Sequence, residues 1–89
     1  MNPRHADAYN TRGVANRIIG QYDKAIADYN KFIELNPRNG LAYIGRGMAY
    51  FFKGQYDKAW NDVEELKTLG LQIDPEFLKM LTEASGREK

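Results

Sequence analysis

Gln21-Tyr22-Asp23-Lys24-Ala25 returns 34 residues later as Gln55-Tyr56-Asp57-Lys58-Ala59, and this repetition decides the fold. The same offset pairs further positions: Ala8-Tyr9 with Ala42-Tyr43, Arg12-Gly13 with Arg46-Gly47, Gly20 with Gly54, and Asp28 with Asp62. A period of 34 residues is too long for a coiled-coil heptad and fits a pair of helices stacked on the next pair. The repetition therefore predicts an all-α solenoid with two helix-turn-helix repeats.

Turn and cap signals divide the repeats into helices. Gly20 and Gly54 interrupt the helical pattern at equivalent places, and Asn36-Pro37 ends the first repeat because the residue before proline avoids the helical region. Asp74-Pro75-Glu76 supplies an N-cap, a proline and an acid for a further helix. The expected helices cover about 6–19, 22–35, 41–52, 56–69 and 74–85.

These elements predict a single domain over residues 1–89. Its expected parts are repeat one at 6–39, repeat two at 40–73, a C-terminal capping helix at 74–85 and a solvated tail at 86–89. Trp60 stands where the first copy has Ile26, and we expect Phe77 and Leu81 of the capping helix to cover it.

Specific residues within the period carry a family resemblance. The tetratricopeptide pattern is W-x2-L-G-x2-Y, followed by A-x3-F and then P. The first copy resembles it at Tyr9-x2-Arg12-Gly13-x2-Asn16, Ala25-x3-Tyr29 and Pro37. The second copy resembles it at Tyr43-x2-Arg46-Gly47-x2-Tyr50 and Ala59-x3-Val63. The chain departs from the pattern at Arg12, Arg46, Asn16 and Leu71. On these residues, over about 2–71, it resembles a tetratricopeptide repeat protein, a TPR-type α-solenoid fragment.

The N-terminal residues carry a third trace of the period. Asn2-Pro3-Arg4 matches Asn36-Pro37-Arg38, the end of the first repeat. This match favours a chain that is the C-terminal portion of a longer array. The alternative is a natural N-terminus at which Asn-Pro caps the first helix.

The departures at Arg12 and Arg46 have a structural interpretation. Each arginine is followed sixteen residues later by an aspartate, Asp28 or Asp62, on the paired helix of the same repeat. We expect two Arg–Asp bridges, since a buried arginine needs a partner. The alternative, that the arginines bind an anion in a groove, is disfavoured because the pair recurs in both copies.

The resemblance implies a concave surface, formed by the first helix of each repeat, that binds a partner peptide. With about 100° per residue, one stripe lies away from the packing residues of these helices. The candidate partner-binding residues are Asn10, Val14, Arg17 and Ile18 in the first helix and Leu41, Ile44, Met48 and Phe52 in the third; Asp7, Thr11 and Gly45 share the stripe. Helix three is then apolar nearly all round, so its stripe is either covered or receives an apolar segment.

A peptide with an acidic C-terminus is not the expected partner. Some tetratricopeptide domains hold such a peptide through lysine and asparagine side chains on this face. The stripe contains Asn10 and Arg17 but no lysine. An apolar or mixed peptide fits it better.

Composition argues against other functional classes. Thirteen basic and twelve acidic residues are interspersed, which predicts no footprint for nucleic acid or an anionic membrane. With no cysteine and a single histidine, His5, the residues predict no metal site, no catalytic triad and no cofactor. The longest apolar run, 48–52, is far below the roughly 18 residues of a membrane span, and with no signal peptide visible the expected compartment is the cytoplasm.

The expected function is a non-catalytic scaffold for a protein or peptide partner. Two alternatives stay open. The chain forms a homo-oligomer through its exposed repeat faces, or it is the accessory module of a larger enzyme.

Overall fold

The computed structural model describes residues 3–86, with side chains from residue 5 onward. Within this range the chain forms helices and no strands: α1 (Pro3–Ile18), α2 (Tyr22–Leu35), α3 (Gly40–Phe52), α4 (Tyr56–Thr68) and α5 (Pro75–Ser85). The all-α prediction is confirmed. Two parts of the sequence predictions lie outside the described residues: Asn2, the first residue of the match to Asn36-Pro37-Arg38, and residues 87–89 of the expected tail.

The helix boundaries follow local backbone chemistry. Gly20 and Gly54 adopt φ values of 85° and 82°, a left-handed conformation that other residues reach only with strain, and each closes the turn within its repeat. The carboxylate of Asp74 accepts a hydrogen bond from the backbone N–H of Glu76 at 3.0 Å and so caps α5. The first helix begins at Pro3 rather than at the expected Ala6, because proline suits the first helical position.

The helices pack as consecutive pairs. Contacts join α1 to α2 and α3 to α4 within the repeats, α2 and α1 to α3 between the repeats, and α4 to α5 at the C-terminal end. Ala25 and Ala59 are fully buried at equivalent positions of α2 and α4. Because α1 also contacts α3, the first helices of the two repeats are neighbours, and together they form one continuous surface.

Tyr29 fills the junction of α1, α2 and α3. Its side chain is fully buried. A Cβ atom at Gly13 would lie 3.0 Å from Tyr29 Cε1, and one at Gly45 would lie 2.3 Å from Tyr29 Cζ. The expectation that Gly45 belongs to the open stripe is therefore wrong, because the phenol ring lies directly against its backbone.

The predicted arginine–aspartate pairs are confirmed in both repeats. Arg12 Nη2 lies 2.7 Å from Asp28 Oδ1, and Arg46 Nη2 lies 2.6 Å from Asp62 Oδ1. Arg46 also reaches the preceding repeat, where its Nη1 donates to Asn30 Oδ1 at 2.8 Å. The pairs hold the two helices of each repeat together, and the second pair also links the repeats.

Trp60 anchors the C-terminal helix, as expected. It is fully buried in a cluster with Val63 and Leu81, against which Phe77 packs. The indole Nε1–H donates to the hydroxyl of Ser85 at 3.0 Å, near the end of α5. The capping helix therefore rests on α4 through both apolar contact and a hydrogen bond.

Candidate functional site

The structure leaves all eight candidate partner-binding residues at least partly accessible. The exposed fraction is 72% for Ile18, 57% for Leu41, 50% for Phe52 and 40% for Ile44. Asn10, Val14, Arg17 and Met48 are half-buried. A single large apolar side chain with an exposed fraction of this size is common, but several of them on adjacent turns of one helix are not.

Four of these side chains form a line along α3, which we call the apolar row: Leu41, Ile44, Met48 and Phe52. The rest of the helix is already used for packing, since Ala42, Tyr43, Gly45, Gly47 and Ala49 are buried. Helix α3 thus has the apolar character of a core helix with one side left open. No segment of the described chain covers Leu41, Ile44 or Phe52 fully.

Two of the candidate residues, Phe52 and Arg17, also take part in the packing of the helices. The ring of Phe52 stacks on Tyr22 of the preceding repeat, with centroids 5.8 Å apart and planes 15° apart. Arg17 donates from Nε to the hydroxyl of Tyr29 at 3.2 Å. Phe52 therefore helps to hold the two repeats together, and Arg17 helps to hold α1 to α2, while both also contribute accessible surface.

A cavity of about 100 Å³ adjoins the apolar row where α3, α4 and the start of α5 meet. Its walls are Tyr43, Ile44, Gly47, Met48, Asp62, Val63, Leu66, Ile73, Asp74 and Phe77. Ile44 and Met48 belong to both the row and the cavity. Sequence reasoning did not predict this cavity, although one signal was present: the second copy carries Val63 where the family pattern has an aromatic residue.

The residues that line the cavity are mostly apolar, and the polar ones among them are Tyr43, Asp62 and Asp74. Burial raises the pKa of Asp62, and the hydrogen bonds and charge of Arg46 only partly offset this effect. For Arg46, burial alone would lower the pKa, but the hydrogen bonds and charge of Asp62 outweigh it and raise the pKa. Asp62, ion-paired with Arg46, is therefore a buried polar residue in the lining of a mostly apolar space.

Other kinds of site are not indicated by the geometry. In the part of the chain that the structure describes, no three His, Asp or Glu side chains cluster closely enough to hold a metal ion. Among those same residues, no helix is both long and apolar enough to cross a membrane.

Comparison with known proteins bears on the family of the chain. A model described as tetratricopeptide repeat matches residues 6–39, and a second model with the same description matches residues 28–61. Together they span more than half of the chain and include α2, α3 and the turn at Gly20. The searches of curated proteins and of solved structures gave no match. Repeats of this kind generally mediate protein–protein interaction and are typically non-catalytic. The chain belongs to the tetratricopeptide repeat family.

Proposed function

We propose that this protein binds a segment of a partner protein on the surface formed by α1 and α3, without catalysis. The observation that carries the proposal is the apolar row, three of whose members are 40–57% exposed on a helix whose other residues are buried or partly buried. Covering such side chains is favourable by roughly 25 cal/mol per Å² of apolar surface removed from water. An apolar or mixed segment is therefore the expected ligand.

The differences between the two repeats support the same surface. Equivalent positions carry Asn10 and Ile44, Val14 and Met48, and Ile18 and Phe52. The repeated residues, in contrast, are those that form turns, ion pairs and close helix contacts. A surface whose side chains change from copy to copy can recognise a particular sequence, whereas the shared positions maintain the fold.

Ile44→Glu should weaken partner binding at least tenfold, because a carboxylate in the middle of the row leaves an unpaired charge under the bound segment. Met80→Glu on α5 is the matched control, since Met80 is 42% exposed against 40% for Ile44 and receives the same charge. Peptides selected on the parent protein from a random display library are titrated against each variant by fluorescence polarisation.

Met80→Glu is expected to stay within about twofold of the parent protein, and circular dichroism establishes that both variants are folded. Equal affinities of the parent protein and of Ile44→Glu would count against the proposal. Sedimentation of the parent protein across a wide concentration range tests the self-association alternative. In the proposed account the chain remains monomeric at high concentration.

A further inference from the structure

The cavity beside the apolar row occupies the place that a tyrosine ring fills in the first repeat. The offset of 34 residues makes Val63 the equivalent of Tyr29, and Gly47 the equivalent of Gly13. The ring of Tyr29 is fully buried against Gly13. In the second repeat the wall at Gly47 is kept, but valine is a whole ring smaller than tyrosine, so the corresponding space stays open.

The polar wall of the cavity also differs from its counterpart. In the first repeat, Asp28 Oδ2 accepts from Arg12 Nε at 3.1 Å and from the amide of Asn16 at 3.0 Å. Position 50 is the equivalent of Asn16 and carries tyrosine, whose ring lies near Arg46 and Lys58. The second repeat therefore lacks the amide donor, while Asp62, which is buried, is one of the residues that line the cavity.

Size and charge together select the group that fits. An enclosed apolar cavity of about 150 Å³ is known to take up benzene. The cavity here is smaller, about 100 Å³, but it is open to the surface, so a single six-membered ring is the largest group that it can receive. Two of the residues in its lining, Asp62 and Asp74, are acidic, which favours a hydrogen-bond donor over another acceptor. A phenol combines the ring with the donor.

We propose that this cavity is an anchor subsite for a tyrosine of the partner segment, with the tyrosine hydroxyl donating to the carboxylate of Asp62. The subsite deepens the proposed function and rests on it, because Ile44 and Met48 line the cavity and also form the middle of the apolar row. A segment lying along the row therefore passes beside the cavity.

The subsite is tested first on the protein alone, with p-cresol as the probe and toluene as the matched control without a hydroxyl. Methyl signals of Ile44, Met48, Val63 and Leu66 are followed by NMR. We expect p-cresol to shift them saturably with a dissociation constant of about 1 mM, which is reasonable for so small a molecule. Toluene should bind about tenfold more weakly, because it cannot donate to the carboxylate.

Two results of this titration would overturn the subsite. The first is the absence of any saturable shift in the methyl groups that line the cavity. The second is equal binding of toluene and p-cresol, which would remove the role of Asp62 and with it the choice of tyrosine.

A variant that fills the cavity from inside gives an independent test. Val63→Tyr should abolish saturable p-cresol binding and leave the thermal midpoint of unfolding unchanged or higher. Val63→Ala is the control, since it enlarges the cavity and should retain p-cresol binding. If Val63→Tyr does not fold, the titration of the parent protein decides the question by itself.

Peptides selected on the parent protein separate the subsite from the proposed function. We expect these peptides to contain a tyrosine. Replacing that tyrosine by alanine, or changing Val63 of the protein to tyrosine, should weaken binding at least tenfold. Peptides that lose affinity for Ile44→Glu but bind Val63→Tyr normally would overturn the subsite and leave the proposed function intact. If p-cresol binds in the cavity but no selected peptide binds along the apolar row, the proposed function is overturned.

Discussion

Trp60→Ala should lower the free energy of unfolding by about 3–5 kcal/mol, the range for removing a large aromatic side chain from a core. The indole is fully buried between α4 and α5, and its N–H donates to Ser85. A domain of this size has a total stability near the low end of about 5–15 kcal/mol, so a large fraction of the variant should be unfolded at room temperature. Urea denaturation followed by circular dichroism measures the loss.

The control for this change is Trp60→Phe, which keeps an aromatic ring but loses the hydrogen bond to Ser85. It should cost clearly less than the alanine variant. A loss below about 1 kcal/mol for Trp60→Ala would contradict the packing of α5, because it would mean that the helix does not depend on the indole.

Gly45→Ala should destabilise the protein by about 2–3 kcal/mol, although alanine normally stabilises a helix relative to glycine by about 0.5–1 kcal/mol. The added Cβ would lie 2.3 Å from Cζ of Tyr29. The ring has little room to move away, because it is fully buried and also lies against Gly13. The free energy of unfolding in urea gives the measurement.

A double-mutant cycle isolates the cause of that loss. In a Tyr29→Leu background the same Gly45→Ala change should cost much less, because the atoms that clash have been removed. Equal losses in the two backgrounds would show that the alanine acts through something other than the tyrosine ring.

Most of the fold could be predicted from the sequence because the deciding signals are local. The repeated block at 21–25 and 55–59, together with Gly20 and Gly54, determines where each pair of helices turns. The Arg–Asp pairs were equally predictable, since two copies with the same spacing provide the same evidence twice. The first helix starts earlier than expected because an Asn-Pro pair is ambiguous: it ends a helix at Asn36-Pro37, whereas Pro3 is the first residue of α1.

The site was harder to predict because it depends on contacts between repeats. The face of Gly45 on its own helix follows from periodicity, but its burial depends on the reach of Tyr29 from a different helix. The cavity depends on Val63 and also on where Ile73 and Phe77 come to lie after the α4–α5 loop. Comparing position 63 with position 29 could have suggested a missing ring, but not whether α5 would fill the space.

The central claim is that a partner segment binds along the apolar row, and NMR of methyl groups tests it most directly. Each methyl signal is followed while a peptide selected on the parent protein is added. The account predicts saturable shifts at Ile44 and Met48, with the signals of Ile19 and Met80 unchanged although those side chains are also exposed. Shifts at Ile19 or Met80 with none at Ile44 and Met48 would contradict it.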